Sequence, residues 1–269
     1  MVGLLLTMAP AWCALNVVYP RIDERPPDDY GYKVLELALA KSGVPHALSM
    51  SKVKMNQERA RLLLERGEIS VLDAGVSADF EARYDPVYFP LDRGLSGYRL
   101  LLIHKERAPD FARIRTLGQL AEMTAGQGPG WADIKILSAA GIGVKTAEFA
   151  SLFRMVNAKR IDFYPLGADE ILPLLERYRA QAPDVVVEPH LALHYPFARL
   201  FFVRKGDQEL RDAIHAGLRK AFADGSLQKL LDLDIRLRDN LRERTIIQLD
   251  NPNLSNAFRQ IPREYFHLP

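Results

Sequence analysis

The chain has little of several things on which common function classes depend. A single cysteine, Cys13, stands among 269 residues, so no disulfide can form within the chain. The histidines are scattered, without the His-Glu-x-x-His or comparable spacing that binds a metal. Opposite charges nearly balance, to a net +2, and form no basic stripe, which excludes a typical nucleic-acid binder. No apolar run reaches the ~18–20 residues that cross a bilayer.

Motifs for covalent catalysis and for phosphate binding are missing as well. No Gly-x-Ser-x-Gly elbow occurs, and the only thiol lies in the N-terminal stretch. The Gly-rich turn at 126–130 is not followed by Lys and Ser or Thr, so it is no P-loop. We therefore expect no metal, no cofactor and no nucleophilic chemistry.

The first fourteen residues are uncharged, rich in Leu and Met, and end in small residues. This pattern resembles the apolar core and cleavage region of a secretory signal peptide, although a basic start is missing and the apolar run is short. A start codon assigned too far downstream would explain the missing start. The alternative is an N-terminal strand or arm of a cytosolic protein. We interpret residues 1–14 as a truncated signal peptide and predict export to the periplasm.

Beyond residue 14, short β-branched or apolar runs alternate with helical periodicity. Residues 15–19 and 69–73 predict strands, and residues 30–42 and 56–66 predict helices that stop at glycines. Strand and helix in alternation indicate a parallel sheet with crossover helices. A second such series follows residue 123.

Two extended apolar segments connect the two series, and they predict a clamshell rather than one doubly wound domain. The second of these connecting segments comes late in the chain, and few predicted strands follow it. Ligands of open α/β sheets bind beyond the carboxyl ends of the strands, so loops from both lobes would line the crevice. The predicted divisions are lobe one at 15–90 and 198–240, lobe two at 91–197, and a C-terminal arm at 241–269 that packs on the body.

Longer stretches resemble one family. They are LLLERGEISVLDAGVS (62–77), RGLSGYRLLLIHK (93–105), TLGQLAEMTAGQGPG (116–130), FASLFRMVNAKRIDFYPLG (149–167) and YPFARLFFVRKGDQELRDAIHAGLRKAFADGSLQKLL (195–231). Together they resemble the type 2 periplasmic solute-binding proteins, amino-acid-type family 3, which serve ABC transporters. The resemblance implies a type 2 clamshell with two crossover hinge strands. It also implies a non-enzymatic monomer that captures a small polar solute by hinge closure, for a membrane permease or a sensor receptor.

The chain departs from that family at its two ligand-clamping positions. The family's carboxylate-binding Arg follows the Ala-Gly strand closely, whereas here Arg83 comes with a small offset. The family's amine-binding Asp lies five residues after the Ile-Asp pair, where this chain has Gly167. An amino acid or a related carboxylate remains the expected ligand class, although the family's full set of carboxylate-binding and amine-binding residues is not present.

Candidate ligand contacts follow the predicted strands, where loops reach the crevice. Each candidate also has a purely structural interpretation. Tyr19 and Trp131 could be buried in the core, and Ser77 and Asp169 could cap a turn or a helix. The arginines could lie in solvent, as most arginines do. The candidates are Tyr19, Arg21, Asp73, Ser77, Arg83, Gln127, Gly128, Gly130, Trp131, Tyr164 and Asp169.

Two rival functions use the same fold. One is an enzyme resembling cyclohexadienyl dehydratase, with a crevice carboxylate such as Asp73 or Glu170 as acid or base; a strongly raised carboxyl pKa would favour it. The other is a sensory or interaction domain that has lost its ligand.

Overall fold

The computed structural model describes residues 14–22, 29–234, 241 and 243–266, apart from the side chains of 232–234. The predicted signal peptide, except for Ala14, lies outside the described residues, as do residues 235–240 of predicted lobe one. Within the described ranges, no helix has the length and apolar character needed to cross a membrane.

Strands and helices alternate along most of the chain. The strands are β1 (Leu15–Ile22), β2 (His46–Met55), β3 (Val71–Gly75), β4 (Tyr84–Val87), β5 (Tyr98–His104), β6 (Thr124–Gln127), β7 (Gly143–Thr146), β8 (Phe163–Gly167), β9 (Val185–Val187), β10 (Leu191–His194), β11 (Arg199–Arg204) and β12 (Thr245–Gln248). The helices are α1 (Tyr30–Ser42), α2 (Gln57–Arg66), α3 (Ala78–Arg83), α4 (Ala108–Phe111), α5 (Leu117–Leu120), α6 (Ala132–Ala139), α7 (Phe149–Asn157), α8 (Ile171–Tyr178), α9 (Gln208–Ala223), α10 (Ser226–Asp234) and α11 (Asn256–Arg259).

Lobe one consists of β1–β4 and β11 with α1–α3, α9 and α10. β1 pairs with β2 in parallel, and it lies beside β3, where the Ser70 amide donates to the Val18 carbonyl at 2.9 Å. β11 runs antiparallel between β3 and β4. Helices α1 and α9 pack closely because Gly217 has no side chain; a methyl group there would overlap the Ala38 carbonyl oxygen.

Lobe two, formed by β5–β10 with α4–α8, repeats this plan. Its strands lie in the order β10-β5-β8-β6-β7, with β9 also paired to β5. In each lobe, the strand that arrives from the other lobe runs antiparallel to its neighbours: β11 in lobe one, and β5 in lobe two. The separate sheets of the two lobes therefore confirm the predicted two-lobed α/β fold.

The two crossings, residues 88–97 and 195–198, lie against each other. The Tyr195 amide donates to the Gly97 carbonyl at 3.2 Å, and the Leu91 amide donates to the Arg199 carbonyl at 3.0 Å. Gly97 permits this approach, because a side chain there would stand 2.7 Å from the Tyr195 carbonyl oxygen.

Three local predictions were wrong. The apolar pattern of residues 195–204 predicts one continuous strand, but β11 begins only at Arg199, because residues 195–198 form the crossing. Residues 84–87, for which the sequence predicts no strand, form β4 by pairing with β11. Pro20 does not end β1; the strand continues to Ile22, and its register with β2 shifts between Tyr19 and Arg21, which accommodates a residue with no amide hydrogen.

The C-terminal segment from residue 243 contacts both lobes. β12 extends the sheet of lobe two by pairing in parallel with β10. Further along, the Ser255 hydroxyl donates to Glu81 of lobe one at 2.5 Å. The Tyr265 ring stacks 4.4 Å from Phe89, and Arg93 donates to the Glu264 carbonyl at 3.1 Å. This segment therefore ties the crossing region to both lobes.

Candidate functional site

The first component of the site is a buried carboxylate of lobe one, Asp73 in β3. Tyr19 of β1 donates its hydroxyl to Asp73 Oδ1. Arg199 of β11 donates to Oδ2 from Nη2, and from Nε at 3.1 Å. The Asp73 side chain is 0% exposed. A carboxylate at this burial needs a cationic partner that donates more than one hydrogen bond. Lobe one therefore satisfies Asp73 with its own side chains.

Arg199 also reaches across to lobe two. Its Nη1 lies 3.8 Å from Oδ2 of Asp169, in the loop between β8 and α8. The Asp169 side chain is only 6% exposed, and its Oδ1 has no hydrogen-bond partner. An unpaired carboxylate oxygen at such burial is unusual, because desolvation is not offset there.

The electrostatic surroundings of Asp169 favour its protonated form. Burial raises its pKa to about 7, and the nearby Glu170 and Asp92 carboxyl groups add to the rise. Arg199 and Arg99 oppose the shift without cancelling it. A carboxyl group that titrates near neutrality in a crevice between lobes is typical of a functional site.

Lobe two contains a second buried cation, Arg99 at the start of β5. Its Nη2 lies 3.0 Å from Asp133 of α6, and its Nε donates to the Tyr195 hydroxyl at 2.7 Å. Tyr195 in turn donates to Asp133. Arg99 Nη1 is also 4.0 Å from Glu170. Burial alone would lower the pKa of Arg99, but Asp133, Tyr195 and Glu170 raise it, so the guanidinium stays charged.

Gly167, the last residue of β8, lies where these groups converge. A methyl group on Gly167 would stand 3.3 Å from both Arg99 Nη1 and Glu170 Oε1, and would overlap Asp169 Oδ1. The space next to this backbone is therefore already filled by two carboxyl groups and one guanidinium.

Two further buried polar groups of lobe two lie in β6 and β8. Gln127, at the end of β6, donates to the Pro165 carbonyl at 3.3 Å, while its Oε1 lacks a partner. The hydroxyl of Tyr164 in β8 is buried and unpartnered too. Burial raises the Tyr164 pKa well above its usual value, with Glu170 and Asp133 adding to the rise. These are neutral groups that can accept a hydrogen bond.

An aromatic cluster supports Tyr164. Phe149 lies between Trp131 and Tyr164, with ring centroids 5.9 and 6.3 Å away. Trp131 precedes α6, and its indole packs over Gly128, where a side chain would overlap the ring. Trp131 therefore reports on the lobe-two side of the crevice.

Phe197 of the return crossing links the lobes. Its ring covers Gly75 at the end of β3, so closely that a methyl group on Gly75 would overlap it. The Arg99 guanidinium carbon lies 4.9 Å from the centre of the same ring. This apolar ring covers one side of the Arg99 guanidinium and excludes water there, which strengthens the pairing of Arg99 with Asp133.

Several predicted contacts come together, and others lie elsewhere. Tyr19, Asp73 and Asp169 share the Arg199 network, and Gln127, Gly128, Trp131 and Tyr164 form the lobe-two side. The structure does not bring Arg83 to the network; it pairs with Glu65 at 2.5 Å on an exposed surface. Ser77 accepts from the Phe80 amide at 3.3 Å and so caps α3.

The two remaining predicted residues have backbone or edge positions. Arg21 is half-buried in β1, opposite Lys54 of the edge strand β2. Gly130 is exposed with φ 77, in the left-handed turn before α6.

The list of ligand contacts missed Arg199, Arg99, Asp133 and Tyr195, and Glu170 was predicted only as an acid or base of the rival enzyme. Arg199 and Tyr195 stand in a stretch whose apolar pattern indicates only a strand, and their partners are far away in sequence. A charged residue inside an otherwise apolar strand was the one available signal, because a buried charge needs a partner.

Metal binding has no support in the geometry. Among the residues that the structure describes, no group of three or more His, Cys, Asp or Glu side chains is arranged to hold an ion.

No protein-family model matches the sequence, and no curated protein is significantly similar to it. Solved structures do resemble it. A histidine kinase sensor domain similar to periplasmic binding proteins has a TM-score of 0.62 at 14% identity, covering 83% of this chain and 97% of its own. An ancestral arginine-binding protein bound to arginine has a TM-score of 0.57 at 18% identity, covering 81% and 97%.

A further similar structure is an ancestral amino-acid-binding protein described as a precursor of cyclohexadienyl dehydratase. Its TM-score is 0.58 at 17% identity, and the match covers 82% of this chain and 95% of its own. Binding proteins, a sensor domain and a dehydratase precursor thus share one architecture. The chain has the two-lobed fold of the type 2 periplasmic solute-binding proteins.

Proposed function

We propose that this chain is a periplasmic solute-binding protein that closes its two lobes over a small polar molecule. The observation that carries the proposal is the pairing of Arg199 of lobe one with Asp169 of lobe two, beside buried polar atoms that have no partner. Open α/β lobes bind ligands at such strand ends. A ligand that hydrogen-bonds to the unpaired polar groups there would offset the cost of keeping them away from water.

The moving units in this proposal are residues 15–90 with 198–240, and residues 91–197. The short crossings between them act as hinges, and a ligand favours the closed state because only that state offers contacts from both lobes. Similarity to an arginine-binding protein and to a sensor domain supports a permease or a sensor receptor as the partner that recognises the closed form. The protein acts as a monomer and performs no chemistry on its ligand.

Trp131 provides the direct test. The chain has two tryptophans, so Trp12→Phe leaves Trp131 as the only indole. We expect a saturable fluorescence change with one class among amino acids, small carboxylates, sugars and polyamines. At a hundredfold excess over Kd, the melting temperature should rise by roughly 5–10 °C.

A matched pair of arginine variants serves as the control. Arg199→Leu removes the contact between the lobes and should abolish the response, whereas Arg83→Leu changes a surface arginine paired with Glu65 and should bind like the parent. A folded protein that responds to no member of the library would overturn the proposal.

A second function, an enzyme on this fold, is favoured by one observation. Asp169 has a pKa of about 7 in the crevice, which suits a general acid or base at neutral pH. The test is mass spectrometry of any ligand that stabilises the protein. Recovery of the unchanged ligand after prolonged incubation supports binding alone, and loss of the mass of water indicates a dehydratase.

A further inference from the structure

The charges of the crevice indicate which class of ligand it binds; this inference rests on the proposed solute-binding function. Both guanidinium groups, the buried Arg99 and the half-buried Arg199, already have close carboxylate partners in their own lobes. Arg199 is held by Asp73, and Arg99 by Asp133 at 3.0 Å. A ligand carboxylate would have to compete with these buried ion pairs, and opening one leaves a charge unpaired at low dielectric.

Two further carboxyl groups lack a close cation among the described residues. The nearest guanidinium nitrogens are 3.8 Å from Asp169 and 4.0 Å from Glu170, and both belong to arginines already engaged. Glu170 otherwise accepts only the Gly167 amide, at 3.2 Å. The Asp169 Oδ1 atom accepts nothing. The acidic groups therefore exceed the basic ones at this point.

Two buried neutral groups of lobe two can also pair with a ligand. The Gln127 carbonyl oxygen and the Tyr164 hydroxyl have no partner among the described residues, although both side chains are 0% exposed. The Gln127 oxygen can only accept a hydrogen bond, whereas the Tyr164 hydroxyl can accept or donate one. A ligand that donates hydrogen bonds could therefore pair with both groups.

The usual donors for a ligand carboxylate are directed elsewhere. Arg83, the expected clamp, lies on the surface with Glu65. The N-terminus of α6 has an acid in its first turn, Asp133, which already supplies negative charge there. We propose that the crevice binds an organic cation without a carboxylate, an alkylamine or alkylguanidine, whose charged end lies beside the carboxyl groups of Asp169 and Glu170.

Agmatine and arginine give the sharpest test, because they differ only in the carboxylate. We expect calorimetric titration to show agmatine binding at least roughly tenfold more tightly than arginine, since the carboxylate would be buried without a free cation. Glutamate should not bind. Equal or tighter binding of arginine would overturn this inference and leave the proposed solute-binding function intact.

Isosteric variants locate the cation. Asp169→Asn and Glu170→Gln should each weaken agmatine binding at least roughly tenfold, because a bound cation favours the ionised carboxylate beside it and an amide cannot ionise. Glu65→Gln, which changes a surface carboxylate, should leave it unaltered. Circular dichroism and melting temperature confirm that each variant is folded. Unchanged agmatine affinity in both crevice variants, or no binding of agmatine to the parent, would overturn the assignment, while the Trp131 screen reports separately on solute binding.

Discussion

Replacing Arg99 with methionine should lower the free energy of unfolding by about 3–5 kcal/mol, the range found when one partner of a buried ion pair is removed. Methionine keeps much of the length and apolar contact of the side chain against Phe197, so the loss is mainly electrostatic. Asp133 would keep only the Tyr195 hydroxyl, and its side chain is 6% exposed. Chemical denaturation followed by circular dichroism measures the change.

Two comparisons separate electrostatics from packing. Adding Asp133→Leu to Arg99→Met removes the stranded carboxylate and should recover most of the loss, because apolar replacement of a whole buried pair is often neutral. Arg107→Met breaks a more exposed pair with Asp162, at 2.6 Å and about a quarter exposed on the arginine side (27%), and should cost clearly less. If Arg99→Met and Arg107→Met cost the same, the buried pair does not hold lobe two together.

Asp169→Asn should make the protein more stable at pH 8, by roughly 4 kcal/mol, and this gain should shrink to roughly 1–2 kcal/mol at pH 5. The folded pKa of Asp169 is about 7, whereas an unfolded Asp titrates near 3.9. The folded state therefore binds the extra proton between these values. As the pH rises through this window, the wild-type protein loses stability, because a buried carboxylate must become charged. Asparagine keeps the shape without that charge.

Urea unfolding at pH 5, 6, 7 and 8 measures this dependence, with Asp224→Asn as the control. Asp224 is exposed and pairs with Lys41, and its side-chain hydrogen bond to Lys41, with those to Ser226, lowers its pKa. Its neutralisation should bring no gain at pH 8. A wild-type stability that is flat or rises between pH 5 and 7, parallel to that of Asp169→Asn, would contradict the assignment of a neutral Asp169.

The order of strands and helices was predictable from periodicity, and so was the two-lobed plan. The regular segments are local: α1 and α2 carry their caps within the sequence, with Gly43 and Gly67 in left-handed conformation. Short segments whose structure depends on a distant partner were not predictable. β4 exists because β11 pairs with it, and the crossing at 195–198 looks like strand until its neighbours are known.

The candidate site was predictable where it follows the strand ends. Asp73, Gln127 and Tyr164 lie on or at the end of strands whose carboxyl ends face the crevice, and Asp169 follows such a strand. Arg199 could not be assigned, because its partners Asp73 and Asp169 come from different lobes and only folding brings them together. Arg83 is the opposite case. Its position in the sequence resembles that of the family's ligand-binding Arg, but its side chain pairs with Glu65 on the surface of lobe one.

The strand β12 has a consequence for how the protein behaves at high concentration. Without it, β10 would present unpaired backbone amides and carbonyls along the side of a large sheet, and another chain could add a strand there. β12 covers this edge with four residues of the same chain. The new edge is short, and the opposite one, β7, carries the exposed Lys145. The C-terminal segment thus protects this sheet edge from pairing with the sheet edge of another chain.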